Sequence, residues 1–164
     1  IDKSNISKYD KSKSFPNNLT KGTVVVDPFS RTSKWSTWTN DLNPEFNTDF
    51  NMDAIDFLQM ILNKYGENSC DIALLDPPFS TRQLSEMYKS IGLKVGQKDT
   101  QIASLYKNCI DIMDKLLKPK SIAIRCGFNT MGFGLTRGYK MIEVLDVTHG
   151  GAHNDLLVTV EIKK

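Results

Sequence analysis

At 164 residues, the chain is long enough to bury one substantial core and too short for two ordinary domains. Its 40% hydrophobic and 24% charged residues exclude a disordered chain, and the lack of any run of about 18 apolar residues excludes a membrane-spanning helix. A formal net charge of +2 permits attraction to polyanions without demanding it, and a polar start with no signal peptide predicts an intracellular protein with no membrane partner.

Residues 1–20, rich in Ser, Lys and Asn, read as a tail or a strap docked over the domain, which leaves 21–164 as a single domain. The first residue is Ile1 and not methionine, which points to a piece of a longer chain. Lys3, Lys8, Lys11, Lys13 and Lys21 crowd this segment, and a solvated surface is the plain reading of such a group. Thr23 to Val26 is a β-branched apolar run stopped by Asp27-Pro28, as in a central parallel strand, and Thr37 to Asn40 predicts a second. Between Met52 and Tyr65 the apolar residues Ala54, Ile55, Leu58, Ile61 and Leu62 follow helical spacing, with Gly66 as the stop.

Ile72 to Leu75 predicts a buried strand halted by Asp76-Pro77-Pro78. The polar stretch from Ser80 to Thr100 carries a short helix around Gln83 to Ile91, and its Arg82, Tyr88 and lysines suit either a cover or phosphate contacts. Ile102 to Leu117 restores helical periodicity, and Pro119 is expected to break it before a strand from Ser121 to Cys126. This alternation predicts an α/β fold with a mostly parallel sheet. Met141 to Val147 and Leu156 to Ile162 add a C-terminal antiparallel hairpin around a turn-rich segment.

Ligands of an open α/β sheet bind beyond the carboxyl ends of its strands, and acids stand there at Asp27, Asp41, Asp53 and Asp76. Asp76-Pro77-Pro78-Phe79 is the sharpest feature. Consecutive prolines fix φ and remove donors, so the Asp76 carboxylate and the Pro77 carbonyl can both accept from one planar NH2 group while Phe79 stacks on its ring. A proline turn that merely ends a strand is the other reading. Cys70, Cys109 and Cys126 have no metal spacing, and His149 and His153 are separated by loop residues, so no metal is expected. Trp35, Trp38 and Phe50 read first as core, and Arg31 either as surface or as a partner for a carboxylate.

These residues resemble the S-adenosylmethionine-dependent amino-methyltransferases with a DPPF motif, and within them the small adenine-specific DNA methylases of phage and mobile elements. The resemblance spans roughly residues 23–163. It likens Asp27, Pro28, Phe29 and Ser30 to the first cofactor motif and Asp41 with Leu42 to the second, whose acid holds ribose hydroxyls. Asp53 and Ala54 resemble the third, which contacts the cofactor's adenine, and Asp76, Pro77, Pro78 and Phe79 resemble the catalytic motif. Gly127-Phe128-Asn129-Thr130, Gly132, Gly134, Arg137-Gly138-Tyr139 and His149 to Asp155 are similar to later segments. The chain departs from the family where Ser30-Arg31-Thr32-Ser33-Lys34 replaces a glycine-rich turn. It departs again where Pro28 to Ser36 is too short for a crossover helix, which predicts a turn there or a misplaced strand.

The resemblance implies a Rossmann-like methyltransferase sheet, S-adenosylmethionine as cofactor, and methyl transfer to the exocyclic amine of adenine in DNA, most naturally double-stranded. A protein partner could supply target recognition. Guanine in RNA or a protein amide offers the same kind of planar amine, a non-catalytic partner subunit would keep the fold, and a viral protein that consumes the cofactor would leave no methylated product. These alternatives stay open at the level of sequence.

Overall fold

The computed structural model describes residues 22–92, 102–148 and 155–164. In chain order the elements are β1 (Val25–Asp27), β2 (Trp38–Thr39), α1 (Ala54–Tyr65), β3 (Cys70–Leu75), α2 (Thr81–Ser90), α3 (Ile102–Leu116), β4 (Leu117–Gly127), a 3-10 turn (Leu135–Arg137), β5 (Tyr139–Val147) and β6 (Leu156–Lys163). They build one six-stranded sheet in the order β2-β1-β3-β4-β6-β5. The first four strands pair in parallel, and β6 runs antiparallel between β4 and β5. The expected tail at 1–20 and the histidine segment at 149–154 lie outside the described residues.

Local chemistry sets the element ends. Asp53 caps α1, its carboxylate accepting from the amides of Ile55 and Asp56, and Gly66 ends the helix with φ of 78° and an amide donated to the Leu62 carbonyl. The apolar face so fixed buries Ala54, Phe57, Leu58 and Ile61. The β1–β2 connection is a series of turns with no helix, as its length demands. Beyond β2 the sheet edge continues as a single parallel bridge from Asn40 to Phe50.

One boundary differs from expectation. β4 begins at Leu117, directly after α3, and Pro119 lies inside it instead of ahead of it. The pairing with β3 is irregular between Cys70 and Ile72, and Lys120 takes φ of 65°. A bulge of this kind needs no ladder donor from Pro119, which is why the proline is tolerated.

Strand side chains alternate between two faces. Val26, Ala73, Leu75 and Ala123 are fully buried in a core shared with Phe57, Ile61, Cys109 and Met113 of α1 and α3. Leu84 and Tyr88 of α2 reach the same side, where they line a small cavity with Ala54 and Leu105. The alternate residues Val25, Ile72, Leu74, Ile122, Ile124, Val158, Val160 and Ile162 are each only half-buried. All three helices among the described residues therefore lie on one face. A short β1–β2 turn cannot carry the covering helix that a parallel sheet ordinarily has on its second face. Trp38 joins the core, stacked on Tyr65 with centroids 4.6 Å apart, and Phe50 packs on Phe57. Trp35 does not: it stands 88% exposed in the β1–β2 turns, where neither sheet face reaches it. No helix among the described residues is long and apolar enough to cross a membrane.

Candidate active site

Three segments converge at the carboxyl ends of β1 and β2, and a fully buried amide joins them. Asn40 donates from Nδ2 to the carbonyls of Pro28 (3.1 Å) and Met52 (3.0 Å), and its Oδ1 accepts from the Met52 amide. Ser30 closes the same knot, its amide and hydroxyl both donating to the Asn40 carbonyl. Asn40 was not singled out from the sequence, since its partners lie 12 residues away on either side and nothing local marks them.

Asp41 follows, with Oδ1 accepting from the Asn43 amide at 2.9 Å and Oδ2 from the Arg31 amide at 3.2 Å. Arg31 reaches φ of 47° to make that turn, doing without a glycine, and its guanidinium lies 5.6 Å from the centre of the Phe46 ring. A carboxylate has about four lone-pair sites, so Asp41 keeps acceptor capacity for a ligand hydroxyl.

The Asp76-Pro77-Pro78-Phe79 turn leads from β3 into α2. Ser80 caps that helix, accepting from the Gln83 amide at 3.1 Å, while Gln83 Oε1 accepts from the Phe79 amide at 2.8 Å. This reciprocal pair is close to a capping box and fixes the backbone that presents Phe79. The spacing Ser80-x-x-Gln83 was the available signal for it.

Asp41, Asp76, Pro77, Pro78, Phe79 and Phe29 line one cleft of about 340 Å3, together with Arg31, Asn43, Phe46, Gln83 and Met87. The remaining sequence candidates sit elsewhere. Pro28, Leu42, Asp53 and Ala54 line an adjoining cavity of about 20 Å3, into which Phe29 and Met87 also reach. That space admits no ring while the Met87 and Tyr88 side chains hold their places. Asp27 and Ser30 are buried behind the cleft, and Asp53 is engaged as the α1 cap.

The acids are electrostatically linked. Burial, reinforced by the negative charges of Asp76 and Asp41, raises Asp27 to about 6 although the Phe29 amide and the Ser36 hydroxyl oppose the rise. Burial also raises Asp41, against hydrogen bonds from the Asn43 and Arg31 amides. Asp76 is open to the solvent of the cleft, yet the protein around it raises its carboxyl above the usual range, against a hydrogen bond from the Cys126 thiol and the charge of Arg31. The Cys126 thiol is itself pushed up to about 12, by burial first and then by Asp76, so it stays protonated and donates.

A second cavity, of about 540 Å3, lies on the other side of Phe79. Gly127, the last residue of β4 and two beyond Arg125, leads into its wall, and Phe128, Asn129, Gly132, Gly134 and Arg137 line it. The Phe79 and Phe128 rings meet at 5.1 Å between centroids, inclined by 51°. The segments singled out in the sequence between Gly127 and Arg137 thus gather at one place, whereas most of His149 to Asp155 lies outside the described residues.

No protein-family model and no curated protein matches the chain. Among solved structures it is similar to TrmN from Thermus thermophilus, with a TM-score of 0.56 at 15% identity over 87% of this chain and 44% of that one. It is also similar to a 1,6-didemethyltoxoflavin-N1-methyltransferase from Burkholderia thailandensis with bound 1,6-didemethyltoxoflavin and S-adenosylhomocysteine. There the TM-score is 0.46 at 13% identity, over 76% of this chain and 60% of that one. The chain spans less than two thirds of either structure's length. Its fold is the Rossmann-like methyltransferase sheet, mostly parallel with a C-terminal antiparallel pair.

Proposed function

We propose that this protein binds S-adenosylmethionine and methylates the exocyclic amine of adenine in double-stranded DNA. One observation carries the reading: Asp41 and the Asp76-Pro77-Pro78-Phe79 turn, at the ends of strands on either side of β1, open onto the same cleft. An acceptor for ribose hydroxyls and an acceptor for a planar amine are the two sites that such a transfer has to bring together.

The lining fits the cofactor. Asp41 would accept from the ribose hydroxyls, the Arg31 guanidinium would pair with the methionyl carboxylate, and Phe29 would pack against the adenine. Met87, which borders both the cleft and the small cavity beside it, would shift for that ring to reach Asp53 and Ala54. When bound, S-adenosylmethionine supplies a methyl group on a sulfonium, an electrophile that needs no metal.

The protein's own part is positioning. The Asp76 carboxylate and the Pro77 carbonyl accept the two amine hydrogens, turning the nitrogen lone pair away from the ring and into the cleft. Their negative charge stabilises the positive charge that grows on nitrogen, and Asp76 is placed to take the proton released. Phe79 stacks on the base, which must leave the duplex at a cost of a few kcal/mol. Guanine in RNA remains the rival substrate with the same chemistry, whereas the cationic second cavity favours nucleic acid over a protein amide.

Labelled methyl transfer from S-adenosylmethionine to duplex DNA, single-stranded DNA and RNA, followed by digestion to nucleosides, tests the reading. Label in the adenine amine of DNA is the expected result. Label in guanine of RNA, or cofactor binding with no transfer to any of the three, would overturn it.

A further inference from the structure

Arg125 of β4 is 92% hidden, its exposure being 8%, and no carboxylate among the described residues pairs with it. Its guanidinium lies 4.8 Å from the centre of the Tyr106 ring, Nη1 donates to Asn129 Oδ1 at 3.0 Å, and Nε has no acceptor among the described residues. Room for this arrangement comes from Gly127, where a Cβ would stand 3.3 Å from Nη2. A buried cation without a counter-charge is costly, and an anionic ligand that reached it would relieve that cost.

The surroundings say which ligand. Arg125 lines the 540 Å3 cavity on the far side of Phe79, and no acidic residue among the described residues lines that cavity. Lys107 and Arg137 line it too, and both share the carboxylate of Asp111 at 2.7 and 2.6 Å, so three cations border the space with one acid between two of them. Glu161 lies behind the loop at Gly132 with its oxygens engaged by the amides of Phe133 and Gly134. β3 and β4 are in register at Leu75 and Arg125, which sets the arginine directly across from the residue before Asp76. Phe79 lines both the cleft that holds Asp76 and the cavity that holds Arg125, so a nucleotide whose base stacks at Phe79 can reach from one to the other.

We propose that Arg125 binds a phosphate of the nucleotide whose base stacks at Phe79, with Lys107 and Arg137 extending the same anionic track. The inference rests on the amine-methylation reading for the place of the base, and it narrows the substrate to a phosphorylated nucleoside within nucleic acid. A guanidinium and a phosphate oxygen form a charge-assisted hydrogen bond, and the cation gains a counter-charge that none of the described residues gives it.

Calorimetric titration of the protein with 2′-deoxyadenosine 5′-monophosphate and with 2′-deoxyadenosine tests this directly. The monophosphate should bind about tenfold or more tightly than the nucleoside, less so at high salt. Arg125→Gln should abolish that preference while leaving nucleoside binding in place, and Arg125→Lys should keep part of it. No preference in the unsubstituted protein would overturn the proposal without need of a variant, and an equal loss of both ligands in Arg125→Gln would assign the contact to the ring instead. An Arg125-dependent preference without methyl transfer to DNA would leave the phosphate site standing and remove adenine methylation. Transfer without the preference would do the reverse.

Discussion

Gly132 lies so close to Glu161 that a Cβ added to it would overlap the buried carboxylate, and its φ of 57° is one that L side chains seldom adopt. Glu161 in turn accepts from the amides of Phe133 and Gly134, so one acid on β6 fixes the loop that lines the second cavity.

Gly132→Ala therefore combines backbone strain with displacement of that acid, and it should cost about 2 to 4 kcal/mol. Urea unfolding monitored by circular dichroism measures it. Gly66→Ala provides the contrast, because the residue has a positive φ but no atom within 4 Å of the added carbon, so only the strain remains.

Asn40→Ala removes the amide that ties Pro28 to Met52 and leaves a buried carbonyl at Pro28 and a half-buried one at Met52 without that donor. A loss of at least about 2 kcal/mol follows in the same unfolding measurement. Asn40→Asp should fare no better, since a carboxylate cannot donate to either carbonyl.

Asp27 titrates at about 6 in the folded chain against 3.8 as its ordinary value. The folded state thus favours the protonated acid. Its contribution to stability is complete below pH 3.8 and is lost as the pH rises through 6. Asp27→Asn, which cannot ionise, should match the parent near pH 4 and exceed it by roughly 1 to 3 kcal/mol at pH 7. Melting curves of the two proteins across that range give the difference, and a gap that stays constant with pH would show that Asp27 does not titrate in this window.

Methyl transfer should depend on ionised Asp76, whose carboxyl is raised through partial desolvation by the protein around it, against a hydrogen bond from Cys126. The rate should then fall on acidification at a pH above the ordinary carboxylate value. Cys126→Ala removes an influence that lowers the Asp76 pKa and should move the acid limb further upward with little loss of the plateau. Asp76→Ala should reduce the plateau by about a hundredfold or more. An acid limb that ignores Cys126 would mean that another group governs it.

The two faces of the sheet should respond differently to substitution. Leu75→Ala, on the face packed by helices, should cost about 2 to 5 kcal/mol. Ile124→Thr, on the face where the side chains are half-buried, should cost less than about 1.5 kcal/mol. Equal costs would show that the second face is covered in solution.

Periodicity made the parallel strands, α1, α3 and the terminal hairpin legible, because each pattern is carried by neighbouring residues with local rules of spacing, capping and chain reversal. The acids after the strands were legible for the same reason: a strand end is where this kind of sheet offers a ligand its site. Trp35 shows the limit, since an aromatic residue beside a strand gives no sign of whether its own turn carries it off the sheet. Pro119 shows another, because whether a proline ends a strand or sits in its bulge depends on the register of the partner strand.

What the sequence by itself determined was the α/β class, the order of most elements and the Asp76-Pro77-Pro78-Phe79 turn, all of them fixed by short-range chemistry. Tertiary structure alone decided that Asp41 and Asp76 share a cleft while Asp27 and Ser30 lie behind it, that Asn40 locks three segments together, and that Arg125 is buried with no acid paired to it among the described residues. Those facts depend on packing between segments far apart in the chain: Tyr106 comes from α3, Asn129 from the loop after β4, and Glu161 from β6, and only the folded sheet brings their charges and hydrogen bonds within reach.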